Sequence, residues 1–198
     1  MLLLRTFLFR HAGPGILLGA WLLSLPLQAQ SNINVRIMAA NLNGNTQSYQ
    51  PFAIRILQGL KPDVVAIQEF NYTSTNGLEV NTPAAFREML DTAFGTNFVY
   101  YRETGFNIPN GIISRWPILE SGSWTDSLVG DRSFAWARID LPGTNDLYVV
   151  SVHLYSSGSA SDRNAEAAAI KPKSRPISPP MPGSSSLGIL IPPPAANR

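Results

Sequence analysis

The chain has 198 residues, of which 44% are hydrophobic and 10% aromatic. This composition excludes a largely disordered protein and suits one ordinary domain with a buried core. The formal net charge is +2 at pH 7, but two of the fifteen basic residues lie in the first thirty positions and four lie beyond Ile170, whereas all thirteen acidic residues lie between, where the net charge is therefore −4. Charge alone gives no support for tight binding to DNA.

A separate unit is predicted for residues 1–29. Arg5 and Arg10 precede an apolar run over residues 16–25, and a stop of small residues ends at Ala29. The run is shorter than the roughly 20 residues that span a bilayer. A signal peptide cleaved after Ala29 is favoured over an uncleaved anchor, so we expect a secreted or periplasmic product without a transmembrane anchor. The chain has no cysteine, hence no disulfide framework.

The segment after this unit has the pattern strand, helix, strand. Side chains alternate over residues 34–40, apolar residues recur at helical spacing over residues 52–60, and Val64–Ile67 is a short apolar run. A right-handed crossover makes the two strands parallel and places Asn41 and Glu69 at their carboxyl ends. Open α/β sheets hold their ligands at those ends.

A second helix is predicted over Pro83–Phe94, with Thr82 as N-cap and Gly95 as its stop. The pattern then becomes rich in strands and closes with a short helix. Strands are predicted over residues 98–102, 111–114, 118–124, 133–140 and 147–153, with a turn at Pro142 and Gly143 between the last two, and the helix over residues 161–170.

The composition changes abruptly at residue 171. Residues 171–198 hold eight of the sixteen prolines and four basic residues, but no acidic residue. A Pro/Ser-rich tail of this kind is predicted to be disordered, with neither helix nor strand. Either a natural linker or a frameshift within the last helix would produce such a tail, and the sudden change favours the frameshift.

Four stretches of this sequence are similar to motifs of one known family. They are Arg-Ile-Met-Ala-Ala-Asn at residues 36–41, Lys-Pro-Asp-Val-Val-Ala-Ile-Gln-Glu at 61–69, Asn-Gly-Ile-Ile-Ser-Arg-Trp-Pro-Ile at 110–118 and Val-Ser-Val-His-Leu at 150–154. In this order they resemble the endonuclease/exonuclease/phosphatase superfamily, whose fold is deoxyribonuclease-like. The resemblance implies a two-sheet α/β sandwich, with residues 32–170 as its N-terminal part and the C-terminal part incomplete.

The resemblance assigns metal binding to Glu69 and Asn41. Glu69 would be the acidic ligand of a divalent ion, normally Mg²⁺ or otherwise Mn²⁺ or Ca²⁺. Asn41 would be a catalytic residue beside it that holds either the metal's shell or the phosphate. Hard cations prefer carboxylate and amide oxygens, and they neutralise charge on phosphoryl oxygens while a water attacks. Without the family match, a single glutamate after an apolar strand is more often just a solvated strand end.

The remaining candidate residues would contact phosphate. The family pattern makes His153 a catalytic group that hydrogen-bonds a phosphate oxygen in the transition state, although a lone histidine at a strand end is more often structural. Arg132, Asn110 and Tyr101, or its neighbour Tyr100, are similarly predicted to bind phosphate. An arginine that opens a strand is more often a surface residue, but its planar fork suits phosphate.

The family's later motifs have no counterpart in the sequence. These are a Gly-Asp-x-Asn segment that orients the attacking water and a terminal Ser-Asp-His that supplies the general base. We therefore expect a metal-dependent phosphodiesterase or endonuclease-like hydrolase that is inactive as written. A non-catalytic secreted binding protein and a broken gene relic are the alternatives.

The substrate and the solution behaviour are less constrained. The substrate is a phosphate ester, and the sequence leaves open whether it is nucleic acid, a phospholipid or an inositol phosphate. The loops at residues 71–81 and 123–130 carry no stripe of basic and aromatic residues that would favour nucleic acid. A sandwich that lacks strands exposes an edge, so we expect a poorly soluble chain that is monomeric if it folds.

Overall fold

The structure, a computed structural model, describes residues 33–41, 51–72, 81–143, 145–173 and 187–191. The predicted signal peptide at residues 1–29 lies outside these ranges, as does most of the tail. No helix in the described part of the chain is both long enough and apolar enough to cross a bilayer.

Helices and strands alternate at first and strands then dominate. The helices are α1 (Pro51–Leu60), α2 (Pro83–Phe94) and α3 (Ala160–Ile170). The strands are β1 (Ile37–Ala40), β2 (Val64–Ile67), β3 (Val99–Arg102), β4 (Gly111–Ser114), β5 (Ile118–Trp124), β6 (Phe134–Ile139), β7 (Leu147–Ser151) and β8 (Leu187–Ile191).

The strands form two four-stranded sheets. The first has the order β1-β2-β4-β3 and the second β5-β6-β7-β8. β1 and β2 are parallel, which confirms the crossover predicted through α1, and β6 and β7 are antiparallel, which confirms the predicted hairpin. β4 runs antiparallel to both of its neighbours.

The sheets pack face to face with helices outside. Between them lies a cluster in which Val64, Ala66 and Ile112 of the first sheet meet Ala137 and Val149 of the second. Apolar residues from α1 and α2 cover the outer face of the first sheet, and Ile170 of α3 packs on the outer face of the second. The predicted two-sheet α/β sandwich is therefore confirmed.

Side-chain caps begin two of the helices. The Thr82 hydroxyl accepts a hydrogen bond from the Ala85 amide at 3.2 Å, as predicted for the start of α2. At α3, Ser159 and Asp162 form a reciprocal capping box. Each cap satisfies backbone amides that the helix itself leaves without acceptors.

One expectation about the tail is wrong. Residues 187–191 form β8, which pairs in parallel with β7 from Leu147 to Ser151. The sequence Leu-Gly-Ile-Leu-Ile is apolar and partly β-branched, so it can add to a sheet edge that already exists. The prolines around it limit the element's length but do not prevent it.

Gly111 supplies a test of how tightly the first sheet is packed. A Cβ at this position would collide with the Phe70 ring and lie 2.5 Å from the Tyr101 carbonyl oxygen. We expect Gly111→Ala to lower the free energy of unfolding by about 1–3 kcal/mol in urea denaturation, because overpacking forces side chains or backbone to shift.

Gly59 is the matched control. It lies in α1 and a Cβ there meets nothing within 4 Å. Gly59→Ala should leave stability unchanged or raise it by up to about 1 kcal/mol, since alanine is the better helix former. Equal midpoints for wild type and Gly111→Ala would show that the packing at β4 is looser than described.

Candidate active site at the strand ends

Three candidate residues follow the carboxyl ends of three strands. Asn41 comes directly after β1, Glu69 comes two residues after β2, and His153 comes two residues after β7. The first two strands belong to one sheet and the third to the other. The site therefore spans both sheets of the sandwich.

A buried hydrogen-bonded tie holds the two sheets together at this end. The Ser151 hydroxyl donates to the Ile67 carbonyl at 2.8 Å and accepts from the Gln68 side-chain amide at 3.1 Å. Gln68 and Ser151 are both fully buried. The tie aligns the end of β2 with the end of β7, so that the residues which follow emerge together.

The side chains of Asn41, Glu69 and His153 converge as a result. The Asn41 amide donates to Glu69 Oε1 at 3.1 Å, and His153 Nε2 lies 3.6 Å from the same oxygen. Glu69 adopts a positive φ of 51°, which costs a non-glycine residue on the order of 1 kcal/mol. Strain of this kind persists where the surroundings fix a side chain in a required direction.

Arg132 joins the group from the loop before β6. It is 5% exposed, and its guanidinium acts electrostatically on both Glu69 and His153. The Oδ1 atom of Asp131 lies 3.7 Å from an Nη atom of Arg132. Within the described residues, the buried Arg132 Nε and His153 Nδ1 lack hydrogen-bond partners. A buried donor without an acceptor is costly, and an oxyanion would satisfy Arg132.

Burial shifts the protonation of the two titratable members. It raises the pKa of Glu69, against the lowering effects of Asn41 and Arg132. Burial and then the Arg132 charge lower the pKa of His153 to about 4. His153 is thus neutral at neutral pH, so its contact with Glu69 is not an ion pair under those conditions. A neutral ring can still donate one hydrogen bond.

The donor set suits a hard divalent cation in part. Glu69 supplies a carboxylate whose side chain is only 13% exposed, and its raised pKa shows a desolvated charge that a cation would compensate. Asn41 adds an amide oxygen. Among the described residues, no group of three or more acidic, histidine or cysteine side chains could hold a metal. An ion such as Mg²⁺ at Glu69 would therefore keep several waters, as it commonly does.

Asn110 and Tyr101 have other contacts. The Asn110 side-chain amide donates to the Ser133 carbonyl, and Asn110 is fully buried. The Tyr101 hydroxyl hydrogen-bonds the Ser123 hydroxyl at 2.9 Å, which links β3 to β5. Both residues thus join the two sheets, and phosphate binding by them stays a prediction.

Glu103 is a buried residue of this region that the sequence patterns did not reveal. Its Oε2 accepts from the amides of Asn110 at 2.7 Å and Ser133 at 3.4 Å, which fixes the chain next to Arg132. Burial raises its pKa, against those hydrogen bonds. It directly follows β3, much as Glu69 lies two residues after β2, and a carboxylate just beyond a strand end was the available signal.

The electrostatic coupling of Arg132 to His153 can be measured without added divalent ions. NMR titration should show the His153 ring neutral down to about pH 4. Arg132→Gln should move the pKa of His153 upward, because it removes a nearby positive charge. A His153→Gln variant assigns the signal, since the chain also contains His11.

The same shift predicts a pH dependence of stability. The unfolded histidine binds a proton near its ordinary value of 6.5, whereas the folded one does so near 4. The stability contributed by the neutral ring is therefore complete above pH 6.5 and is lost as pH falls through this window.

For the NMR titration, an unchanged pKa of His153 in Arg132→Gln would refute the electrostatic coupling between these two residues.

No family model and no curated protein sequence matches the chain. Among solved structures, it is similar to an endonuclease/exonuclease/phosphatase family protein from Leptotrichia buccalis, with a TM-score of 0.52 and 16% identity over 80% of this chain and 66% of that one.

A second similar structure is D. rerio TDP2, humanized by 14 mutations, with a TM-score of 0.51 and 18% identity over 70% of this chain and 55% of that one. The chain thus spans between about half and two thirds of the length of these structures. With two sheets in the same sandwich arrangement, the chain has the fold of the endonuclease/exonuclease/phosphatase superfamily.

Proposed function

We propose that this chain carries the first half of a phosphate-ester hydrolase site of the phosphodiesterase or endonuclease type. The observation that carries the proposal is the convergence of Asn41, Glu69 and His153 from three strands in two sheets, with Glu69 Oε1 at 3.1 Å from Asn41 and 3.6 Å from His153. Sheets of this class hold ligands at such strand ends.

In this proposal Glu69 and Asn41 hold a divalent cation, Mg²⁺ by the family resemblance or else Mn²⁺ or Ca²⁺. The cation would neutralise charge on the phosphoryl oxygens. Asn41 orients the Glu69 carboxylate through its hydrogen bond, and the Glu69 side chain is largely buried. The low exposure of the carboxylate strengthens its attraction for a cation.

His153 and Arg132 would bind the phosphate itself. A neutral His153 donates one hydrogen bond to a phosphate oxygen, while Arg132 contributes a permanent positive charge from a buried position. Arg132 is already weakly paired with Asp131 and lies within electrostatic range of Glu69. Arg132 would hold the phosphate close to Glu69.

Turnover by this chain is expected to be absent or slow. A proton acceptor near the attacking water contributes about 10²–10⁴-fold in rate, and the sequence contains neither Gly-Asp-x-Asn nor Ser-Asp-His to supply it. His153 cannot both donate to the phosphate and accept the proton of the water. We therefore propose binding of metal and phosphate ester with little hydrolysis.

The alternative is a non-catalytic secreted binding protein that kept the fold, and a gene relic is a further possibility. The substrate class also remains a proposal among nucleic acid, phospholipid and inositol phosphate. Export to the periplasm or the medium is proposed from the pattern in residues 1–29.

Metal binding provides the direct test. Mn²⁺ binding, followed by water proton relaxation, should weaken by at least about tenfold in Glu69→Gln, since even outer groups of metal sites commonly have effects of that size. Glu88→Gln is the control, because Glu88 is exposed on α2. Equal Mn²⁺ affinity in wild type and Glu69→Gln would contradict the proposed site.

The same samples can be assayed with bis(4-nitrophenyl) phosphate. Binding of metal and diester without release of nitrophenol supports the proposed site at Asn41, Glu69 and His153. It also favours the alternative that this chain is a non-catalytic binding protein. Hydrolysis that disappears in Glu69→Gln would show instead that this chain supplies a proton acceptor of its own.

The gene sequence tests the origin of the tail. We expect another reading frame beyond the codon for Ile170 to continue α3 and to encode Gly-Asp-x-Asn followed by Ser-Asp-His. Such a frame would make the full product a hydrolase in which Asn41, Glu69 and His153 keep their proposed roles. If no frame encodes these motifs, the catalytic proposal should be dropped in favour of the binding protein or the relic.

A further inference from the structure

Two loops carry the proposed phosphate-binding residues Arg132 and His153, and both loops contact the same residue of α3. Arg132 lies in the loop between β5 and β6, residues 125–133, and His153 lies in the segment after β7, residues 152–159. Both loops contact the side chain of Glu166 on α3. Glu166 is 2% exposed, which is unusual for a glutamate.

Glu166 secures the segment after β7. Its two carboxylate oxygens both lie within hydrogen-bonding distance of the Tyr155 amide, at 3.0 and 2.9 Å. Tyr155 is two residues beyond His153. Arg163, one turn earlier on α3, donates to the Tyr155 and Gly158 carbonyls of the same segment. Arg163 and Glu166 in the first two turns of α3 thus hold the segment that carries His153.

The second partner of Glu166 is another carboxyl group. Asp126 is 6% exposed, and its side chain lies in hydrogen-bonding contact with that of Glu166. Asp126 Oδ1 accepts from the Leu128 amide at 2.9 Å, whereas its Oδ2 is buried without a donor among the described residues. A proton on Glu166 would supply that donor.

Two buried carboxyl groups in contact cannot both ionise without strong repulsion. Burial, and then Asp126, raise the pKa of Glu166 to about 7, while the Tyr155 amide and Arg132 act in the opposite direction. The charged groups that face Glu166 within the described structure are Asp126 and Arg132, both from the β5–β6 loop.

We propose that Asp126 and Glu166 are positioning residues that share one proton, join the Arg132 loop to the His153 segment, and leave the charge of Arg132 available for phosphate. This inference rests on the proposed function. When the shared proton is lost, the pair carries two negative charges, which repel each other and compete with a phosphate for Arg132.

The test begins with the pair itself, without ligand. Carbon-13 NMR of the side-chain carboxyls in the full chain should show one group titrating near pH 7, and Glu166→Gln should abolish that step. The glutamine imitates the protonated acid, because its amide can donate to Asp126 while its carbonyl accepts from Tyr155. Asp126→Asn is the second variant, and Glu88→Gln is the exposed control.

Stability gives an independent measure of the same proton. The folded state holds it at a higher pH than the unfolded state, whose glutamate titrates near 4.5. This contribution to stability is therefore complete below about pH 4.5 and is lost as pH rises through 7. Glu166→Gln should show a smaller loss than wild type, because only Glu69 and Glu103 then keep a raised pKa among these buried acids. Ordinary carboxyl titration in wild type, or the same loss in Glu166→Gln, overturns the shared proton.

The final measurement links the pair to the site. Affinity for bis(4-nitrophenyl) phosphate, whose charge is constant, should fall about 3- to 10-fold in wild type from about pH 5 to about pH 8 and should fall less in Glu166→Gln, where only the ionisation of Glu69 remains. Equal pH profiles in the two proteins overturn the coupling to Arg132.

Failure of the proposed function would look different. No diester binding by either protein at any pH would refute the phosphate site and, with it, the positioning role of the pair. The carboxyl titration and the stability profile would still decide whether Asp126 and Glu166 share a proton.

Discussion

The site depends on one buried tie between the two sheets. The Ser151 hydroxyl at the end of β7 donates a hydrogen bond to the Ile67 carbonyl and accepts one from the Gln68 side chain, so a single side chain satisfies two polar groups at the end of β2. In a water-free interior, breaking such a link leaves polar groups that cost about 1–3 kcal/mol each. Glu69 and His153 follow these strands by two residues, so this hydrogen-bonded link sets the 3.6 Å separation of Glu69 Oε1 and His153 Nε2.

Burial then determines the chemistry available at this end of the sandwich. It raises the pKa of Glu69, Glu103 and Glu166 and lowers that of His153. Arg132 is the cation common to most of these groups, since its charge acts on Glu69, His153 and Glu166. Burying a guanidinium costs desolvation free energy. Clusters of groups with perturbed pKa values are typical of functional sites.

The second sheet shows how the fold accommodates an unusual C-terminal sequence. β7 is followed by α3, and β8 then returns in parallel at the sheet edge. Backbone hydrogen bonding to an existing edge requires only a short extended segment, so five residues suffice even between prolines. The chain has the fold of the endonuclease/exonuclease/phosphatase superfamily, although it spans only 66% of one similar structure and 55% of another.

The sequence by itself determined the local elements and the first half of the site. Helical spacing and short apolar runs predicted the parallel pair β1 and β2, and the crossover rule placed Asn41 and Glu69 at neighbouring strand ends, because both signals are local and the topology has few alternatives. Only the tertiary structure decided three contacts. His153, after a strand of the second sheet, lies against Glu69, Asn110 is buried against Ser133, and Asp126 contacts Glu166. These contacts join residues far apart in the chain, and burial, which sets their protonation, comes from the packing of two sheets and a helix and leaves no periodic trace in the sequence.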